Sequence, residues 1–113
     1  MKRFAIFGCL IAASCTQAPV YTSEQVAAIM RPLAYEQEID RKCEAEMSAF
    51  SADQFLASLT AQNTAQASEI LASVSAEVAE GEAEYVCTVE LFFSTQQRAN
   101  EARAMWKTLK GNS

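Results

Sequence analysis

The 113-residue chain carries 14 Asp or Glu against nine Lys or Arg and has no histidine, for a formal net charge of −5. That balance argues against a nucleic-acid binder, whose phosphate contacts need clustered cations. The missing histidine removes the commonest general base and the commonest metal ligand.

In chain order, Met1-Lys2-Arg3 puts two cations ahead of an uncharged apolar run from Phe4 to Ala13. As a helix that run would span roughly 15 Å, half of a bilayer core of about 30 Å, so it is too short for a permanent membrane span. A positive start, a short apolar stretch and small residues after it read as a secretory signal peptide over residues 1–14. Ala12-Ala13-Ser14 satisfies the small-x-small rule of an ordinary signal peptidase. Together with Cys15, the same residues resemble the lipobox of bacterial lipoproteins, with Ala12 standing where that motif usually has Leu. The resemblance covers about 15 residues. It implies that Cys15 receives a diacylglyceryl group and becomes the first residue of the mature chain. It also implies that Thr16, in place of Asp, sorts the protein to the outer membrane, facing the periplasm. Acyl chains contribute about 0.8 kcal/mol per buried methylene, and several together anchor a protein stably. The alternative cleavage leaves a soluble periplasmic protein with Cys15 near its new N-terminus.

Of the four cysteines, Cys9 falls in the discarded segment. With Cys15 lipidated, Cys43 and Cys87 remain as an even pair in an oxidising compartment and are expected to form a disulfide. The competing readings make Cys43 a small buried hydrophobe or a partner in an intermolecular bond.

Residues 15–21 read as a tether, and residues 22–113 as one small helical domain rich in Ala, Glu and Gln. Thr22-Ser23-Glu24-Gln25 fits a capping box, and Val26, Ile29, Met30 and Leu33 mark one helical face. Pro32 should kink or split this helix. Beyond it, Ile39, Cys43, Met47 and Phe50 continue a helical stripe, with Glu36, Glu38, Asp40, Arg41, Lys42, Glu44 and Glu46 on the other sides. Ser51-Ala52-Asp53-Gln54 is a second capping box, followed by Phe55, Leu56 and Leu59. Ile70, Leu71, Val74 and Val78 form a further stripe that Gly81 is placed to end.

The segment 84–93, EYVCTVELFF, is rich in β-branched and aromatic residues and alternates like a strand. No second strand-like run follows residue 15, and a lone strand is unstable, so helix is the preferred reading with one strand as the alternative. Ser94-Thr95-Gln96-Gln97 resembles a third capping box. Ala99, Ala102, Met105, Trp106 and Leu109 then face a last helix ended by Gly111.

A Cys43–Cys87 bond sets a topological condition. One straight helix over residues 51–80 would be about 45 Å long and would hold the two α-carbons far beyond the roughly 7 Å limit. The middle of the chain must therefore fold back, with Gln62-Asn63-Thr64 as the weakest stretch and Asn63 or Thr64 as a new cap. The expected architecture is an all-α bundle of about four short helices with one disulfide.

No motif marks a catalytic, cofactor-binding or metal-binding site: there is no CxxC, no Gly-rich phosphate loop and no nucleophile elbow. Glu77, Glu80 and Glu84, like Glu36 and Asp40, stand at helical spacing and read as solvated faces. Arg103, Lys107 and Lys110 suit the dipole at the end of the last helix. Trp106 and Phe92-Phe93 read as core. These features lead us to expect a non-catalytic envelope lipoprotein that binds a protein partner. The alternative is an acidic inhibitor or immunity-type protein that presents the cation-free stretch between Lys42 and Arg98 to a cationic enzyme.

Overall fold

The computed structural model describes residues 20–46 and 50–111. The expected signal peptide over residues 1–14, the expected lipidation site Cys15, and Met47 lie outside the described residues. Four helices, α1 Ser23–Lys42, α2 Ala52–Ala57, α3 Ala61–Glu80 and α4 Val89–Gly111, form an all-α bundle with one disulfide. Among the described residues there is no strand, and no helix is long and apolar enough to cross a membrane.

Helix α1 starts where the capping box lies. Thr22 Oγ1 accepts from Gln25 N at 3.1 Å and Gln25 Oε1 accepts from Thr22 N at 3.0 Å. The helix runs on through Pro32 without dividing. Buried Ile29, Met30, Leu33 and Ala34 flank the proline on both sides. Burial of about 1.5–3 kcal/mol per large side chain offsets a proline cost of about 3 kcal/mol.

The stripe does not continue to Phe50 as one helix. Helix α1 ends at Lys42, with Cys43 as its C-cap and Glu44 in the left-handed region at φ 57°. Ala45 N donates to Asp40 O at 2.8 Å and Glu44 N to Arg41 O at 3.3 Å, the two bonds of a Schellman motif.

The second capping box is also formed, with Gln54 N donating to Ser51 Oγ and Ser51 N to Gln54 Oε1. Buried Gln37 of α1 adds a third cap, its Oε1 accepting from Asp53 N at 3.0 Å. These bonds satisfy first-turn donors that have no partner inside the helix.

The fold-back is not at Gln62-Asn63-Thr64, which lies inside the first turn of α3. Asn63 does not cap a helix. Its Oδ1 accepts from Tyr21 N at 2.8 Å and its Nδ2 donates to Tyr21 O at 2.9 Å. The return is made earlier, by the segment from Glu44 to Thr60 that carries α2. Paired contacts then advance together: Ser23 with Gln66, and Tyr35 with Glu77. Helix α3 therefore runs parallel to α1 and carries the chain back to Cys43, so that Cys43 and Cys87 are joined with α-carbons 5.8 Å apart.

Helix α4 opens on Thr88, whose Oγ1 accepts from Leu91 N at 3.1 Å. The expected start at Ser94 is absorbed into the helix, because Thr95 Oγ1 donates to Leu91 O at 2.8 Å within the preceding turn. Residues 81–88 are neither strand nor helix.

Helix α1 is the centre of the bundle, with α2, α3 and α4 each packed on it. Val26, Ile29, Met30, Leu33 and Ile39 meet Phe55 of α2, Val74 of α3 and Trp106 of α4 in one core. Trp106 is wedged edge-on between Tyr21 and Phe55, with ring centroids 5.2 and 4.9 Å away.

Candidate functional site

The disulfide joins the end of α1 to the segment after α3 and closes one side of a cleft of about 500 Å³. Val78, Ala79, Val86 and Cys87 supply its apolar lining, and Arg41, Lys42 and Glu82 its polar part. The segment 81–88 is held at several points besides the sulfur. Lys42 Nζ donates to Tyr85 O at 2.9 Å, while Glu84 N and Tyr85 N both donate to Gly81 O, at 3.1 and 3.0 Å. A Cβ on Gly81 would lie 3.0 Å from the Tyr85 ring and 3.1 Å from the carbonyl oxygen of Glu77. An alanine there would require the Tyr85 ring or the Glu77 carbonyl to give by a few tenths of an ångström. So fixed, the segment leaves Val86 55% exposed beside the cleft.

Two tyrosines lock the same corner. Tyr35 Oη donates to Glu77 Oε1 at 2.7 Å and Tyr85 Oη to Glu77 Oε2 at 2.6 Å. Both phenols donating to one carboxylate, Tyr85 first, hold Glu77 below its ordinary range. Tyr85 is pushed well above the usual phenol value, chiefly by that bond and then by burial. Tyr35 is raised too, by burial first and then by Glu77.

The carboxylates of α1 are not the solvated face that their spacing suggested. Glu36, Glu38 and Asp40 are buried, at 4%, 8% and 7% exposure, because α1 is covered on several sides along this stretch. Glu36 is ion-paired with Arg103 of α4, whose Nε also donates to Phe50 O at 2.9 Å. Glu38 accepts from Ser75 Oγ at 3.1 Å and from Arg41 at 3.1 Å. Asp40 lies with Glu36, Ala45, Glu46, Phe92 and Gln96 around a cavity of about 160 Å³. Burial, and then the neighbouring Glu36, raise the Asp40 carboxyl above its ordinary value against the opposing pull of Arg103. Among the described residues, no group of three or more His, Cys, Asp or Glu is placed to hold a metal ion.

The other sequence-derived candidates divide. Glu80 and Glu84 are exposed, as expected. Arg103 turns inward to Glu36, so the basic set is more than a dipole complement, and Lys110 lies over the Trp106 ring at 5.5 Å. Trp106 is core and Phe92 is half-buried against it, whereas Phe93 is 69% exposed. No protein family, curated protein or solved structure gives a match to this chain.

Proposed function

We propose that the protein is a non-catalytic lipoprotein of a bacterial cell envelope, anchored through Cys15 and facing the periplasm, where it binds a protein partner. The observation that carries this reading is the segment 81–88. It is pinned by the Cys43–Cys87 bond, by Lys42 and by the Glu77–Tyr85 contact, yet it presents Val86 to solvent beside an apolar-lined cleft. A rigid loop with an exposed apolar tip loses little conformational entropy on binding. The lipobox-like residues Ala12 to Cys15 support the anchor, and the joined cysteines suit an oxidising compartment.

The test is photocrosslinking in intact cells with the probe at Val86, and with a control probe at Ala65, which is exposed on α3. A discrete adduct to one envelope protein from Val86 and none from Ala65 is the expected result. Equal labelling from both positions would overturn the reading. Loss of acyl mass in the Cys15→Ser protein tests the anchor separately.

A second reading rests on Glu80, Glu82 and Glu84, all exposed around Gly81 in a stretch without cations. They form an acidic tip suited to a cationic enzyme. Salt separates the two readings, since binding through this tip weakens steeply with ionic strength and binding through Val86 does not.

A further inference from the structure

Helix α4 turns Thr95, Ala99, Ala102 and Trp106 to the core. Directly opposite, Glu90, Phe93, Gln97, Asn100, Ala104 and Lys107 recur at spacings of three and four, and every one of them is exposed. That is the three–four spacing of a coiled-coil seam, with Phe93 and Ala104 at its apolar positions and charged or amide residues at the other four. A shallow depression on the outer surface of α4 lies along it, lined by Phe93, Gln96, Gln97, Asn100, Glu101 and Ala104. These six residues make two overlapping sets with the i, i+3, i+4, i+7 geometry of a hole for a knob from another helix.

We infer that this face binds the same face of a second copy of the chain, with the two α4 helices antiparallel about a two-fold axis level with Arg98 and Ala99. The occupant follows from self-complementarity. In that register Glu90 faces the second copy's Lys107, which pairs opposite charges at both ends of the seam. Phe93 lies over the second copy's Ala104, a large side chain on a small one. Gln97 faces the second copy's Asn100. Asn100 Oδ1 already accepts from Arg103, which leaves its Nδ2 to donate to the facing Gln97. Parallel pairing would instead set Glu90 on Glu90, Phe93 on Phe93 and Lys107 on Lys107. A two-fold axis makes every contact occur twice, so one sequence stripe supplies both halves of the interface. The seam lies on the opposite side of α4 from α1 and does not use Val86, so it stands independently of the partner-binding reading.

The test is sedimentation equilibrium of the full chain, produced in a bacterial envelope and held in density-matched detergent, with circular dichroism as the control for folding. A concentration-dependent dimer is expected. Glu90→Lys alone and Lys107→Glu alone each place like charges at two symmetric sites and weaken it by about tenfold. The double variant Glu90→Lys/Lys107→Glu exchanges the charges and restores the dimer to within about threefold of the unaltered chain. A chain that stays monomeric across the concentration range overturns the inference. So does a dimer indifferent to the single reversals, or one that the double variant fails to restore. If Phe93→Ser abolishes adsorption to anionic vesicles and the chain shows no self-association, the face is a membrane contact and the inference is wrong.

Discussion

Replacing both Cys43 and Cys87 by Ser removes the one covalent tie in the domain. The two residues are 44 positions apart, and closing a loop of that size lowers the entropy of the unfolded chain by an amount equivalent to about 4 kcal/mol at 25 °C. The native state contributes less to the difference. The segment 81–88 keeps its bonds from Lys42 and to Glu77, and α3 keeps its packing on α1. The loss therefore comes mainly from the unfolded ensemble, and two measurements follow. Urea unfolding followed by far-ultraviolet circular dichroism should show stability lower by about 3–4 kcal/mol. The m-value should rise, because the untied unfolded chain exposes more surface. Helix content before the transition should be nearly unchanged. A loss below about 1 kcal/mol with an unchanged m-value would refute the reasoning, since it would mean that the unfolded chain is not constrained by the bond.

Four other outcomes are expected. Glu36→Ala leaves Arg103 largely buried without its partner and should cost about 3 kcal/mol, while Glu36→Leu/Arg103→Met should recover most of that; equal losses in both would sink the ion-pair account. Asp40 has a raised carboxyl in the fold, so its charge destabilises progressively as pH rises from the unfolded value of about 3.9 through the higher folded one. Asp40→Asn should thus raise Tm at neutral pH and lose its advantage below about pH 3, as differential scanning calorimetry at the two pH values will show. Tyr85 and Tyr35 should resist ionisation in an absorbance titration beyond the usual phenol value of about 10, and Glu77→Gln should bring both back towards it. Glu44→Gly should stabilise by about 0.5–1 kcal/mol, measured by urea unfolding, because φ is 57° at that position and glycine carries no Cβ penalty there.

Local patterns in the chain carried local structure. The capping boxes at Thr22 and Ser51 are both formed, and the apolar positions Val26, Ile29, Met30 and Leu33 are all buried. The requirement that Cys43 reach Cys87 carried the need for a return. The place of the return was not legible, because Asn63, a good helix cap by residue type, is engaged by a backbone 42 positions away. The same holds for the acidic stretch of α1. Its spacing reads as a wet face, and the counter-charge that permits Glu36 to be buried lies 67 residues further on. Ser94-Thr95 resembled a helix start, yet Thr88 takes that role because the helix already runs past Thr95. The segment 84–93 alternated like a strand, but among the described residues it has no sheet to join, and its second half entered α4.

The pairing of Tyr21 with Asn63 has a mechanical meaning. Tension arriving along the backbone at residue 20 meets two hydrogen bonds loaded side by side, 2.8 and 2.9 Å long, before it reaches the first turn of α1. Bonds loaded together resist as a unit, whereas a helix pulled from its tip frays one turn at a time. The load passes into the first turn of α3 and the Trp106 wedge, so a pull on the N-terminal side is shared with a second helix before it reaches the end of α1.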